Sequence, residues 1–250
     1  MTLTKSYEGT LIHYPNNKER FEFDGDVAEC FDDMAERSIP LYAESHRLHA
    51  YLAYEWIKAH KYDIKIADIG ASTGGFFAAL HRAAWTNYHD EIPHVKLHAL
   101  DVSRPMLDKI NEKLPCVGTY EQDVCSMASM GEEYDMVNMS YVLQFLKGGK
   151  KNLALREIRS SMKSGGLLFL SQKEDVPTRH APQFQDHYID FRLENDYTPE
   201  EVEAKTRALK GSMFPDSQHK LYGMLQEAGF NEIQETSRWL QFSSLVAVAY

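Results

Sequence analysis

The sequence predicts an α/β fold: a mostly parallel seven-stranded sheet with helices on its faces, closed by antiparallel strands at the C-terminal end. Three observations predict it. Strand-like and helix-like stretches alternate from residue 64 to 172, the pattern that βαβ crossovers impose on a parallel sheet. Within that span, IADIGASTGGFFAAL (66–80) reads as a buried strand, a small-residue turn and the start of a helix. After Gln172 the alternation stops, and two strand-like stretches, 232–240 and 244–249, finish the chain.

Taken in order, residues 1–20 are polar and irregular and read as a flexible N-terminal arm. Residues 21–250 then read as one domain. From Phe23 to about residue 61 the apolar spacing is helical, with Phe31, Met34 and Ala35 followed by Leu48, Leu52, Trp56 and Ile57. The strand candidates are 64–69, 95–100, 117–121, 134–139 and 167–171, and the intervening helix candidates are 75–84, 105–113 and 149–162. WTNYHDEIPH (85–94) reads as an insertion before the second strand. Residues 181–210 look helical, with Thr198 as an N-cap ahead of Pro199, Glu200 and Glu201. Residues 216–228 form another helix closed by Gly229. Residues 21–61 and 175–228 are thereby expected to cover a substrate site with helices.

Composition narrows the function. A net charge of −10 argues against a dedicated nucleic-acid surface, which needs clustered Lys and Arg, although a local basic patch would still admit such a substrate. Three scattered cysteines, Cys30, Cys116 and Cys125, suit neither a disulfide framework nor a zinc site; reduced thiols and a cytoplasmic location are expected. No apolar run reaches bilayer length, and MTLTKSYEG does not read as a signal peptide.

The turn G-A-S-T-G-G is not the dinucleotide pattern G-x-G-x-x-G, and no Lys follows Gly75 as an ATP-type loop requires. Asp68 stands two residues before Gly70. A pyrophosphate would be repelled there, whereas a cationic ligand such as S-adenosylmethionine (SAM), with its ammonium group and sulfonium, would be attracted. Gly70, Ala71, Ser72, Thr73 and Gly74 keep the turn lean enough for close approach. Asp101 with Val102 ends the second strand, where an acid can accept both ribose hydroxyls. Asp123 follows the third strand, where it can take the adenine amine while Val124 offers a backbone N–H. Ser140 and Tyr141 end the fourth strand and are expected in the pocket. The Pro-Pro turn of nucleic-acid N-methyltransferases is absent here, and Pro115–Cys116 precedes the third strand, so Cys116 reads as structural.

Several stretches resemble one family. FDGDVAECFDDMAERSIPLY (23–42), VLQFL (142–146), SGGLLFLSQK (164–173), DFRLENDY (190–197) and FSSLVAVA (242–249) are similar to the carboxy-SAM synthase branch of the class I SAM-dependent methyltransferases. The resemblance runs from about Phe21 to the end of the chain. It implies a Rossmann-like class I methyltransferase fold, SAM as cofactor, a homodimer and, in that branch, conversion of SAM and prephenate to carboxy-SAM and phenylpyruvate. It also implies that Tyr42 contacts the cofactor. The chain departs from the family at Ser140, where the family has Asn. It departs again in EAKTRALKG, where Thr206 occupies the place of a carboxylate-holding Arg and Arg207 follows one position later. One residue turns a helix by about 100°.

The sequence therefore supports a SAM-dependent transferase, most simply a methyltransferase acting on a small molecule, with no single catalytic residue assigned. Carboxy-SAM synthesis and a non-catalytic SAM-binding regulator are the alternatives. Tyr141, Tyr197 and Arg207 are the substrate candidates. His46 and His49 (HRLH) have i, i+3 spacing but lack a third ligand, and a surface or capping role is expected rather than a metal. His180 and His187, either of which could serve as a base, flank the helix expected to act as a lid.

Overall fold

A computed structural model describes residues 21–60, 62–88 and 94–250. The arm expected over residues 1–20 lies outside the described residues. The first two helices are α1 (Gly25–Ser38) and α2 (Tyr42–Ala59). Asp24 caps α1 by accepting from the Val27 N–H at 3.1 Å, satisfying one of the free donors of its first turn. Its buried side chains, among them Val27, Phe31, Met34 and Ala35, follow helical spacing.

The sheet consists of β1 (Ile64–Ile69), β2 (Val95–Asp101), β3 (Gly118–Glu121), β4 (Tyr134–Ser140), β5 (Met162–Lys173), β6 (Phe230–Trp239) and β7 (Phe242–Ala249), in the order β3-β2-β1-β4-β5-β7-β6. The first five strands pair in parallel, and β7 is antiparallel to both β5 and β6. The order reverses between β1 and β4, the switch point at which open α/β sheets bind ligands beyond the carboxyl ends of their strands. Register brings those ends level, with Ile69 opposite both Leu100 and Met139.

Between the strands run α3 (Gly75–Tyr88), α4 (Arg104–Lys113) and α5 (Lys150–Ser160). The expected insertion thus begins as an extension of α3, and residues 89–93 of it lie outside the described residues. One apolar cluster joins α2 and α3 to the sheet through Ala53, Ile57, Phe76, Phe77 and Leu80. A second fills the opposite face with Leu155, Ile158, Leu221 and Leu225.

Two expectations need correction. The helix expected to reach residue 162 ends at Ser160, and β5 begins at Met162 rather than 167. A register shift between Tyr134 and Met136 accommodates the SGG segment; there a side chain at position 166 would lie 2.8 Å from the Asp135 carbonyl. The helical stretch 181–210 is divided into α6 (Ala181–Glu194) and α7 (Pro199–Leu209). The break falls at Asp196, which has φ +64°, and α7 restarts on a capping box of Thr198 and Glu201. Helix α8 (Gln218–Ala228) is capped by Gly229 at φ +98°.

Candidate functional site

The turn after β1 carries three left-handed residues in five: Gly70 at +61°, Ser72 at +50° and Gly74 at +87°. Gly70 and Ala71 donate backbone N–H bonds to the Leu100 carbonyl at 2.7 and 3.1 Å, lashing the turn to β2. A Cβ at position 70 would lie 2.2 Å from Val142 Cγ2. The left-handed backbone of Ser72, costing a non-glycine residue about 1–2 kcal/mol, is held by Asp101. That carboxylate accepts from the Ser72 N–H at 2.9 Å and from the Ser103 N–H at 2.8 Å. Burial raises the pKa of Asp101, and its amide bonds oppose the shift. The carboxylate retains acceptor capacity for a hydroxyl beyond these amide bonds.

Asp68 is the least compensated acid of the site. It is 3% exposed, and its bonded partner is Asn138 Nδ2 at 2.7 Å. Burial pushes its pKa up to about 7, against the pull of that bond, and the neighbouring Asp101 adds to the rise. Asn138 also accepts from Ser140 Oγ at 3.2 Å and lies 3.4 Å from His49 Nδ1. His49 stacks on Phe169, with ring centroids 5.1 Å apart. The expected surface or capping role of HRLH is corrected: His46 and His49 are both buried, because α2 turns this face onto α3 and the sheet. Burial lowers their pKa values to about 3 and about 4, so both rings are neutral. His46 packs edge-on to Tyr42 at 4.6 Å, and neither of its ring nitrogens has a partner.

These groups open on a cavity of about 360 Å³. Asp68, Gly70, Ala71, Ser72 and Asp101 line it, as do Val102, Asp123, Val124, Ser140 and Tyr141 from the ends of the next strands. Asp123 caps a short 3-10 turn by accepting from the Cys125 N–H at 2.8 Å. Tyr141 holds a left-handed backbone at φ +61° at the end of β4, a strained conformation of the kind that collects at binding sites. Tyr42 lines the wall with its ring 5.9 Å from that of Tyr141. The roof is apolar and comes from Phe31, Met34 and Ala35 of α1, Leu209 of α7 and Met213 beyond it.

Other expected residues stand elsewhere. Thr73 turns its hydroxyl to the Asp32 carboxylate of α1 and does not line the cavity. Gly74 faces Ile110 and Leu114. Tyr197 is buried behind the wall, with its hydroxyl on the Met34 carbonyl at 3.4 Å and near Lys205 Nζ at 3.1 Å. Arg207 is corrected outright: its side chain is 68% exposed and pairs with Glu203 at 3.1 Å on the outer face of α7. Thr206 does not supply a charge in its place, and its hydroxyl returns to the Val202 carbonyl at 2.6 Å. His180 and His187 are exposed. Cys116 is exposed too, 3.4 Å from His81 Nε2, so its expected structural role has no burial behind it.

Sequence reasoning missed Asn138, Lys173 and Lys205. Asn138 shares strand parity with Ser140, which was the available signal. Lys173 and Lys205 line the cavity and were hidden by the general expectation that Lys is exposed. Among the described residues, three or more His, Cys, Asp or Glu side chains are nowhere grouped to hold a metal ion, and no helix is long and apolar enough to cross a membrane.

Comparison with known proteins gives the same fold and a family. A methyltransferase-domain family matches residues 67–168. A carboxy-S-adenosyl-L-methionine synthase from Trichodesmium erythraeum is 35% identical over 91% of this chain and 88% of its own length. The protein of that name from Helicobacter pylori is 31% identical over 95% of this chain and 98% of its own. Among solved structures, an O-methyltransferase family protein from Burkholderia thailandensis superposes with a TM-score of 0.61 at 16% identity, over 90% of this chain and 60% of that one; at that identity it shows the shared class I methyltransferase fold. With a seven-stranded methyltransferase sheet and similarity along nearly its whole length, the chain belongs to the carboxy-S-adenosyl-L-methionine synthase family.

Proposed function

We propose that the chain is a SAM-dependent transferase that acts on a small molecule, with residues 21–250 forming one SAM-binding unit and residues 21–61 and 175–228 its substrate cover. The observation that carries this reading is Asp68: a buried carboxylate facing the cavity with a neutral amide as its bonded partner. A cationic group beside it would satisfy the site, which suits the ammonium of SAM. Asp101 has acceptor capacity left for the ribose hydroxyls, and Asp123 with Val124 stands where an adenine amine and ring nitrogen would reach. Tyr42 and His46 complete the wall, and the bare turn at Gly70 gives the methionine part close backbone contact.

When bound, SAM supplies an electrophilic methyl group on sulfur. The chain's own residues orient and enclose. The apolar roof excludes water, and Tyr141 and Ser140 present the floor along which an acceptor aligns in line with the sulfur. Lys173, whose pKa is lowered to about 8 by burial and by the charge of Arg192, is placed to take a proton from the acceptor near neutral pH. Methyl transfer demands no further catalytic group.

Carboxy-SAM synthesis is the second reading, favoured by the family to which the chain belongs. It needs a carboxylate clamp, and neither Thr206 nor Arg207 presents one to the cavity. Incubation with SAM and prephenate, followed by mass measurement of the nucleoside products, separates the two. A carboxylated SAM would establish the synthase, whereas S-adenosylhomocysteine (SAH) with a methylated acceptor would establish the methyltransferase. Tight SAM binding without turnover of any acceptor would favour a regulator. Asp101→Ala is expected to abolish SAM binding, and unchanged affinity would overturn the pocket assignment. A homodimer and a cytoplasmic location accompany the reading, and sedimentation velocity tests the former.

A further inference from the structure

The Asn138 amide meets Asp68 with its nitrogen end, Nδ2 standing 2.7 Å from Oδ1. An amide that presents its N–H groups to a carboxyl favours the anion, and one that presents its oxygen favours the protonated acid. The direction of this one side chain therefore bears on the charge of the cavity. Its other end, Oδ1, accepts from Ser140 Oγ at 3.2 Å and lies 3.4 Å from His49 Nδ1. Asn138 and His49 are both fully buried, so bulk water cannot stand in for either contact. An amide oxygen only accepts, which requires His49 to carry its ring proton on Nδ1. Nε2 is then the acceptor, and the Thr236 hydroxyl of β6 stands 3.5 Å from it. Burial lowers the pKa of His49 to about 4, so the ring has a single proton to place. The stack of its ring on Phe169, at 29° between planes, fixes the direction in which Nδ1 points. The donors thus run one way, from Thr236 to His49 to Asn138 to Asp68.

We propose that His49 is a positioning residue for cofactor binding: its Nδ1–H, with the Ser140 hydroxyl, locks the Asn138 amide in the orientation that holds Asp68 as the anion a cationic ligand requires. Without the Nδ1 donor, Ser140 alone holds Oδ1, and the amide is free to turn its oxygen to Asp68. The site would then keep its shape and lose its charge at neutral pH. The other titratable groups around Asp68 do not replace this donor. Asp101 of β2 favours the neutral form of Asp68. On α2, burial leaves His46 neutral and raises the pKa of the Tyr42 hydroxyl, as it does that of Tyr141 beyond β4. Lys173 and Lys205 line the same cavity from β5 and α7, but Asn138 is the group bonded to the Asp68 carboxylate. The lock rests on the transferase reading above only for the identity of the cation.

Nitrogen NMR of the full wild-type chain reads the tautomer of His49, and the Nδ1-protonated form is expected. Carbon NMR of the Asp68 carboxyl, in the same ligand-free chain, is expected to titrate at about pH 7. His49→Phe keeps a ring against Phe169 and removes the donor; the Asp68 midpoint is expected to rise by about one unit. SAH is then expected to bind about fivefold more weakly than to wild type at about pH 7 and within about twofold of it at about pH 8.5. Affinity for 5′-methylthioadenosine, which has no ammonium, is expected to stay unchanged; a merely structural role would weaken both ligands at every pH. An Nε2-protonated His49, an unmoved Asp68 midpoint in the variant, or equal weakening of the two ligands would each overturn the lock. Should His49→Phe fail to fold, the wild-type tautomer decides. A wild-type chain that fails to bind SAH refutes the transferase reading instead, and the tautomer and the Asp68 midpoints, measured without ligand, still decide the lock.

Discussion

The raised pKa of Asp68 makes cofactor affinity depend on pH in a calculable way. The free carboxyl titrates at about 7, against its ordinary 3.8, while the ammonium of SAH stays protonated through the neutral range. Binding the cation requires the ionised form. Ionisation is about 76% at about pH 7.5 and about 3% at about pH 5.5 for a group of that pKa, so affinity is expected to fall about 25-fold between them. At about pH 6, binding should release close to one proton. His46 and His49, lowered to about 3 and about 4, do not titrate in this window. Asp101 is also raised by burial, but it faces the ribose, so 5′-methylthioadenosine isolates it: that ligand keeps ribose and adenine and lacks the amino-acid part. Calorimetry in two buffers of different ionisation enthalpy measures affinity and proton release together. The sign for the free fold is opposite. A folded pKa above the unfolded one gives stability that is complete below about pH 4 and lost as pH rises through about 7. A flat SAH profile, or the same slope with 5′-methylthioadenosine, would refute the assignment of Asp68 to the ammonium.

Three further outcomes follow from the geometry. Gly70→Ala combines a left-handed backbone with a 2.2 Å approach to Val142 and should cost about 2–5 kcal/mol, read by urea denaturation, with SAH affinity lost in whatever folds. Lys151→Met leaves Asp216, buried at 10% side-chain exposure, with exposed Lys220 as its remaining cation. It should cost about 2–4 kcal/mol and loosen the segment leading into α8, seen as faster amide exchange near Phe214. Arg207→Ala should leave stability within about 0.5 kcal/mol and turnover unchanged; a large loss of turnover would return Arg207 to the site.

Most of the parallel core was legible because its central strands are short apolar runs with a polar residue at or near the ligand edge, as in IADIG and LHALD. Asp68, Asp101 and Asp123 could be placed for the same reason: position at a strand end depends on period, not on tertiary contacts. The start of β5 was not legible, because SGG reads as a turn, and it is indeed the irregularity between the Tyr134–Met162 and Met136–Leu167 pairs with β4. Thr198 was legible as the N-cap of α7, but the face of that helix that packs inward was not, and one residue of register moves a side chain by about 100°; Val202, Lys205 and Ala208 take the buried positions and leave Arg207 outside. His46 and His49 belong to the buried stripe of Ala50, Ala53, Tyr54 and Ile57 on α2. Counting them as apolar would have revealed that stripe. Lys173 and Lys205 reach the cavity from β5 and α7, and no spacing rule joins residues so far apart.

The strand order also bears on synthesis. Strand β7 sits between β5 and β6 although residues 242–249 are made after the other six described strands. Until they leave the ribosome, β5 presents an unpaired edge flanked by Leu168 and Leu170, both fully buried in the finished sheet. Such an edge invites pairing with another chain. The nascent chain therefore keeps this exposed edge until residues 242–249 emerge, and that eight-residue strand covers it.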